Sequence, residues 1–373
     1  MKFIKNGNLA KLVAFFVIAA IMICTVSFAA NGWQSFLEPE PDSDNNVTIK
    51  PGNENIDENK DGETNNKNDD IPTIVPTPSY IHYLTGLETT SDISMQKPLC
   101  MVIGAKDPLY GISSSFLTIE LPIEDGNTRF LVFTNDAQSL GKIGSIAPTR
   151  GYISNLASYF GGIILSYGND DTFRYEFDNP STNLDFTANV GYCYTEYNSF
   201  VYTNGDLVSA FLNNTKANTL LQDSAHAPYL FNTSEDAIKG TESATLISIT
   251  YADSNITGLS YLTSDEKYLL SKNNTGKNDL LNDKSIAYDN VFILSVDSTT
   301  HETTDTTQLI LNTSTSGSGK YISKGTAQNI TWGKDAAGNL VFYNAEGEKL
   351  VINPGTSYIA YVKSSLPKSV KIS

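Results

Sequence analysis

The stretch FLTIELPIEDGNTRFLVFTNDAQSLGKIGSIAPTR, residues 116–150, decides the fold because two apolar runs in it flank a short acidic turn. Most side chains of residues 116–123 are apolar, and residues 130–133 are wholly apolar. Two such runs, separated by Asp125, Gly126 and Asn127, predict antiparallel strands joined by a hairpin or another tight connection. The rest of the chain is organised around this pair of strands.

The same stretch concentrates charge next to apolar sequence, in the four residues Glu120, Glu124, Arg129 and Arg150. A cluster of acids and arginines is typical of a buried ion-pair network or of a clamp for a ligand. Paired carboxylates also serve glycoside hydrolysis when they lie about 5 to 10 Å apart. Four residues along a strand span about 13 Å, so Pro122 would have to bend the chain. We predict these four residues as ligand-binding candidates and assign no catalytic residue.

Composition excludes several classes of function. The chain of 373 residues carries a formal net charge of −16 and has no basic stripe, which argues against binding to nucleic-acid phosphates. His82, His226 and His301 do not lie at metal-ligand spacings. The sequence also contains no phosphate-loop or dinucleotide fingerprint. We therefore expect no nucleic acid partner, no metal and no cofactor.

The N-terminus has the layout of an export signal. Three lysines precede an uncharged apolar run at residues 12–30, and a helix of that length spans about 28 Å, close to the ~30 Å core of a bilayer. Ser27 and Ala29 also fit a cleavage site, so residues 1–30 are either a cleaved signal peptide or a retained signal-anchor. In both cases the lysines favour a cytoplasmic N-terminus with the rest of the chain outside the membrane.

Residues 31–80 form an acidic tract, in which eleven acidic side chains outnumber three lysines and give a net charge of −8. Such a composition does not bury enough apolar surface to offset its ordering entropy. The tract is therefore predicted to be a disordered linker that holds the folded part away from the membrane.

The three cysteines leave two questions open. Cys24 follows Ile23, where bacterial lipid attachment requires a small residue, which makes lipidation doubtful. Cys100 and Cys193 both lie in strand-like sequence, and an exported chain permits a disulfide between them. Two free buried thiols are the alternative, because sequence does not give the distance between the two residues.

The folded part is predicted to have two domains and an α+β fold. Residues 153–160 have the pattern of a helix ended by glycines and followed by a buried strand, so residues 81–240 are expected to form a mixed α/β N-terminal domain. Beyond it, short strand-like runs recur about every ten residues, which predicts a β-rich C-terminal domain at residues 241–365.

Several stretches of the chain are similar to a known family. YLTGL (83–87), KPLCMVIGA (97–105), TIELPIEDGNTRFLVF (118–133) and GKIGSIAPTR (141–150) resemble the N-terminal domain of the YerB-like putative lipoprotein family of Gram-positive bacteria. AYDNVFIL (287–294), GSGKYISKG (317–325), ITWGKD (330–335) and LVFYNAEGEKLVINPGTSYIAYV (340–362) resemble its C-terminal domain. The resemblance implies an exported or lipid-anchored protein of uncharacterised activity.

The resemblance also matches individual positions. It places Glu120 at the family's glutamate before the turn, and Glu124, Thr128, Arg129 and Phe130 within the turn motif. Of the family's two arginines after the turn this chain keeps the second, Arg150, and has Ala147 at the first.

Two histidines of the family pattern are also replaced in this chain. One is replaced around Ser166, Tyr167 and Gly168. A Pro-His-Asn stretch becomes Pro228, Tyr229 and Leu230, with His226 just before it. The resemblance therefore implies a degenerate or differently tuned binding site.

We expect this chain to be a cell-envelope protein on the extracytoplasmic face of the membrane, or a secreted one if the signal is cleaved. The favoured hypothesis is a non-catalytic binding or scaffold protein for a wall fragment, a peptide or a protein partner. The alternative is a hydrolase of wall glycan or peptide that uses Glu120 or Glu124 as acid or base. Whether the protein is an enzyme is left open, with the non-enzymatic hypothesis preferred.

Overall fold

The structure is a computed structural model that describes residues 80–89, 96–135, 140–168, 183–196, 199–220, 227–302 and 307–373. All of these residues belong to one compact unit of the chain. The predicted signal segment and nearly all of the predicted acidic linker lie outside them, as do Cys24 and His226. Within the described residues, no helix is both long and apolar enough to span a bilayer.

One large mixed sheet runs through the described unit. Its strands are β3 (Leu99–Gly104), β4 (Leu117–Pro122), β5 (Thr128–Thr134), β6 (Lys142–Ile146), β7 (Ile163–Ser166), β8 (Asn183–Asp185), β9 (Tyr194–Glu196), β10 (Phe200–Asn204), β12 (Glu242–Ser243), β20 (Asn290–Val296), β23 (Gly317–Ser323), β24 (Thr326–Lys334), β25 (Leu340–Tyr343) and β27 (Ser357–Lys363). The main path of neighbours is β12-β24-β23-β20-β27-β4-β5-β3-β6-β10-β9, while β25 pairs with β24, and β7 joins β3 to β8.

A second sheet packs against this one, and four small strand pairs lie beside them. The second sheet contains β13 (Leu246–Ala252), β14 (Asn255–Leu262), β15 (Lys267–Lys272), β16 (Thr275–Gly276), β19 (Ala287–Tyr288) and β28 (Val370–Ile372). The small pairs are β1 (Tyr80–Ile81) with β2 (Glu88–Thr89), β11 (Leu230–Phe231) with β26 (Val351–Ile352), β17 (Asn278–Asp279) with β18 (Lys284–Ser285), and β21 (Ser298–Glu302) with β22 (Thr307–Leu311).

The predicted hairpin in residues 116–150 is confirmed as β4 and β5, which pair antiparallel with Pro122 opposite Thr128. A short 3₁₀ turn, Glu124–Gly126, joins them. Asp125 and Gly126 both have positive φ, of 58° and 67°, a conformation that glycine and aspartate tolerate better than other residues. The sequence Glu-Asp-Gly is therefore suited to this turn.

Both faces of the hairpin are buried, which explains its nearly continuous apolar runs. Helix α1 (Gly151–Tyr159) covers one face through Tyr152, Ile153 and Leu156. The second sheet and helix α2 (Gly205–Thr215) cover the opposite face of the large sheet. The hairpin thus lies at the centre of a layered β structure.

The predicted α+β class, with a mixed α/β N-terminal domain, is wrong. The described structure is 50% strand and 12% helix, and α1 and α2 are its two α-helices. The helix predicted at residues 153–160 exists as α1, but the apolar segments around it pair into the large sheet instead of alternating with further helices. The protein is β-rich overall.

The large sheet is continuous between the two regions predicted as separate domains. Strand β4 from the N-terminal region pairs in parallel with β27 from the C-terminal region, with Ile119 opposite Ile359 and Glu120 opposite Ala360. Each region therefore supplies backbone hydrogen bonds to the other, and residues from both contribute to the same cores.

Both described cysteines are free thiols. Cys100 is completely buried in β3, whereas Cys193 is partly buried.

Candidate functional site

Three parallel strands of the large sheet end at the same edge, next to the start of helix α1. Strands β3 and β4 are both antiparallel to β5, and β7 is parallel to β3, so the C-terminal ends of β3, β4 and β7 lie together. Helix α1 leads into β7 and therefore begins at this edge. The edge beyond the carboxyl ends of parallel strands is a frequent position for ligand sites.

Glu124 and Arg150 form an ion pair at this edge. Arg150 donates from Nε to Oε1 at 3.0 Å and from Nη2 to Oε2 at 2.8 Å, and Leu309 adds a backbone N–H at 3.2 Å. Burial is the largest single influence on the pKa of Glu124 and raises it, but the hydrogen bonds and charge of Arg150, together with backbone N–H groups that include that of Leu309, outweigh burial and hold this pKa below its ordinary value. Arg150 also donates from Nη1 to the carbonyl of Thr149 at 2.8 Å. Each of the three side-chain nitrogens of Arg150 thus donates a hydrogen bond to an oxygen of the protein.

Arg129 lies beside this pair but does not join it. Its side chain projects from β5 toward the α1 face of the sheet, where Asp107, Glu124 and Arg150 are close enough to affect its pKa. Burial and then the neighbouring Arg150 lower the pKa of Arg129, while the two acids raise it. The Nε of Arg129 is buried and has no hydrogen-bond partner among the described residues.

Asp107 completes the charged surroundings of Arg129. It follows β3, and its carboxylate lies over Gly104, the residue paired with Arg129, so closely that a Cβ on Gly104 would meet Oδ2 at 1.9 Å. Ser145 donates a hydrogen bond to the same oxygen at 3.0 Å. We call Asp107, Glu124, Arg129 and Arg150 the edge cluster.

Glu120 points away from the edge cluster, into the interior between the two sheets. It is completely buried, and Lys272 of β15 lies 2.6 Å from its Oε1. Thr128 donates to Oε1 at 2.7 Å, Thr257 donates to Oε2 at 2.8 Å, and the hydroxyl of Tyr358 donates to Oε2. A carboxylate with these donors is compensated internally and is closed to a substrate.

The surroundings of Lys272 and Tyr358 fit this structural role. Lys272 is 3% exposed and also donates to Thr257 at 2.7 Å. The rings of Phe130 and Tyr251 lie 5.9 and 5.7 Å from its Nζ. Burial, and then the Glu120 carboxylate, raise the pKa of Tyr358 well above its ordinary value, which keeps its hydroxyl a donor.

Of the four predicted site residues, the structure brings three together and separates the fourth. Glu124, Arg129 and Arg150 share the edge cluster, whereas Glu120 lies on the opposite face of the sheet. Sequence reasoning missed Asp107 and Lys272. A signal for Lys272 was present, because Tyr268, Leu270 and Lys272 alternate along β15 and so occupy one face, which is buried.

The described residues contain no group of three or more histidine, cysteine, aspartate or glutamate side chains arranged to hold a metal ion.

Two family models match the chain, each described as a domain of a protein of unknown function (DUF3048). The N-terminal domain model matches residues 84–218, and the C-terminal domain model matches residues 247–359. The crystal structure of the YerB protein from Bacillus subtilis is similar, with a TM-score of 0.69 and 20% sequence identity over 79% of this chain and 99% of that chain. The chain belongs to the YerB-like family. The search of curated proteins found no match to it.

Of the three positions at which the resemblance implies a departure from the family pattern, two lie close to the ends of β3 and β7. Ala147, at the position of the first family arginine, is buried, and its N–H bonds to Val102 of β3. Ser166, near the position of a family histidine, ends β7 and has a buried hydroxyl without a described partner. Tyr229, at the other histidine position, lies elsewhere, stacked on Phe292 with its hydroxyl bonded to the carbonyl of Leu84.

Proposed function

We propose that this YerB-like protein is an extracytoplasmic cell-envelope protein that binds a carboxylate-bearing wall peptide fragment at the edge cluster and does not cleave it. The observation that carries the proposal is Arg129, whose buried Nε lacks a partner although Arg150 beside it is fully engaged. A buried donor without an acceptor costs about 1–3 kcal/mol, which a ligand carboxylate would recover. Guanidinium groups bind carboxylates through two parallel hydrogen bonds.

The hydrolase alternative is less well supported. Glu120 is inaccessible between the two sheets, and its oxygens already accept hydrogen bonds from Lys272, Thr128 and Tyr358. Glu124 is held by Arg150, and its lowered pKa makes it a poor general acid near neutral pH. Glu120 and Glu124 lie on opposite faces of the large sheet, so they do not flank one cleft as the acid and base of a glycosidase do.

The location outside the membrane is part of the proposal and rests on the sequence. The lysines and the apolar run of residues 1–30 have the layout of an export signal or anchor, and the acidic tract that follows is long enough to act as a spacer. Membrane contact is proposed through that segment alone.

The test is a binding and turnover assay of the purified full chain with muropeptides released from peptidoglycan. Arg129→Met removes the cation and keeps an unbranched side chain, and Lys284→Met removes an exposed positive charge on β18 as the matched control. We expect Arg129→Met to weaken binding about tenfold or more, Lys284→Met to leave it unchanged, and no new products to form.

Three results would go against the proposal. Equal binding by wild type and Arg129→Met would remove the edge cluster as the site. Products that disappear in Glu124→Gln would identify a hydrolase. Absence of any binding to muropeptides, together with capture of a defined envelope protein that depends on Arg129, would replace the wall fragment by a protein partner.

A further inference from the structure

A groove lies between the C-terminal half of the large sheet and strand β28, on the face of the sheet opposite helix α1. Its volume is about 680 Å³, within the usual range of ligand sites, ~300–1,000 Å³. Ile293 and Val362 line it from the large sheet, and Lys320 and Asn329 from β23 and β24. Val370 and Ile372 of β28 line it from the second sheet.

Strand β28 is at the end of the second sheet, and its pairing register determines which backbone groups face the groove. It pairs antiparallel with β13, with Ile372 opposite Ile247 and Val370 opposite Ile249. One residue further on, Ser373 and Leu246 exchange both of their backbone hydrogen bonds, at 3.0 and 2.9 Å.

Hydrogen-bonded and non-hydrogen-bonded pairs alternate along an antiparallel ladder. Because Ser373 and Leu246 form a hydrogen-bonded pair, Ile372 and Val370 belong to non-hydrogen-bonded pairs. Their N–H and C=O groups therefore point away from β13, and Lys371 between them points toward it. The same two residues line the groove while Lys371 does not, so the free edge of β28 opens into it.

The segment that leads into β28 is basic although the whole chain is acidic. Residues 363–371, KSSLPKSVK, contain three lysines and no acidic residue, against a net charge of −16 for the chain. Lys363 lines the groove and has no ion pair with a described residue, while Lys320 on the facing wall pairs with Glu242 at 2.6 Å. Because Glu242 also lines the groove and neutralises Lys320, the charge that an acidic occupant would complement is that of Lys363.

We propose that the groove binds an extended acidic peptide segment of a partner protein, which adds as a strand to the free edge of β28. Its backbone pairs with the N–H and C=O groups of Val370 and Ile372, as in other cases of strand addition to a sheet edge. Its apolar side chains lie on Ile293 and Val362, and its acidic side chains lie near Lys363. This site is independent of the edge cluster and of the muropeptide proposed to bind there.

The test uses the full chain and a capped heptapeptide of alternating glutamate and valine. One control peptide replaces glutamate by lysine, and another carries N-methyl groups on alternate residues, which removes backbone donors and leaves the side chains unchanged. The protein variant is Lys363→Glu, and Lys284→Glu is the control with the same change of net charge. Binding is followed by titration calorimetry, and amide hydrogen exchange is followed residue by residue by NMR.

We expect the acidic peptide to slow amide exchange at Val370 and Ile372 about tenfold or more and to leave Lys371 unchanged, since the Lys371 amide already bonds to β13. Lys363→Glu should weaken binding roughly threefold to tenfold, and Lys284→Glu should not. Both control peptides should bind more weakly than the acidic peptide.

Other outcomes would overturn the inference. Equal binding of the N-methylated peptide would show that strand pairing is not involved, and equal binding of the lysine peptide would remove the acidic preference. If the amides of Val370 and Ile372 are protected before any peptide is added, the groove is occupied by this chain or by a second copy. Concentration dependence of that protection would distinguish the two.

Discussion

Replacement of Lys272 by methionine should strongly destabilise the protein, because it leaves the buried carboxylate of Glu120 without its cation. The side chains of Glu120 and Lys272 are 0% and 2% exposed, and their charged atoms lie 2.6 Å apart. Methionine fills much of the same space but donates no hydrogen bond. The carboxylate would then be held in the interior by neutral hydroxyl groups alone.

The size of the effect follows from the burial. Removal of one partner of a buried ion pair costs about 3–5 kcal/mol, whereas loss of an exposed pair costs about 1 kcal/mol or less. Lys320 and Glu242 provide the comparison, because they also lie 2.6 Å apart but are 28% and 49% exposed. Lys272→Met should therefore cost several times more than Lys320→Met, although both variants lose an ion pair of the same length.

The assay is equilibrium unfolding in urea, followed by the fluorescence of the buried Trp332. The double variant Glu120→Gln with Lys272→Met removes both charges, so its loss should fall short of the sum of the two single losses by about 2 kcal/mol or more. A loss below about 1 kcal/mol for Lys272→Met, or strictly additive losses, would refute the reasoning that Glu120 is a buried structural charge.

Three further predictions concern charge and burial elsewhere. Because Arg150 holds the pKa of Glu124 down, their pairing stabilises the fold above the ordinary glutamate pKa of about 4.3, and this stabilisation is lost as pH falls through the lowered value. The difference in the free energy of unfolding between wild type and Arg150→Gln, measured in urea, should therefore narrow below about pH 4. Burial lowers the pKa of His82 to about 4. As pH falls from about 6.5 to 4, His82 therefore becomes protonated in the unfolded chain before it does in the folded protein, and the free energy of unfolding decreases. His82→Asn should reduce this decrease by up to about 3 kcal/mol. In the native protein, iodoacetamide should alkylate Cys193 much faster than Cys100, because Cys100 is fully buried and its pKa is raised well above the ordinary value. Equal alkylation rates of the two cysteines in the native protein, measured by mass spectrometry, would contradict the described burial.

Local features of the fold could be predicted from the sequence because they depend on neighbouring residues. The turn at Asp125 and Gly126 was predicted from its composition, and it joins β4 and β5 as expected. The helix predicted at residues 153–160 forms as Gly151–Tyr159, ahead of the two glycines. The class of the fold was mispredicted because the large sheet is built by pairings between distant segments, such as β4 with β27.

The candidate site was only partly predictable for the same reason. Glu120 and Glu124 were considered as residues four apart along a strand, with a bend required at Pro122, but the strand ends at Pro122 and Glu124 lies in the 3₁₀ turn. Glu120 meets Lys272, which is 152 residues further along the chain. No local pattern gives that contact, although the alternation in β15 indicated that Lys272 is buried.

The most direct test of the central claim observes Arg129 itself. In NMR spectra of the full chain labelled with ¹⁵N-arginine, the Nε–H signal of Arg129 is assigned by its absence in Arg129→Met, and muropeptides are then added. If the edge cluster binds a carboxylate-bearing fragment without cleaving it, this signal shifts in a saturable manner as its buried donor gains an acceptor, and the muropeptides are recovered intact. An unchanged Arg129 signal while muropeptides bind, or the appearance of cleaved products, would contradict the account.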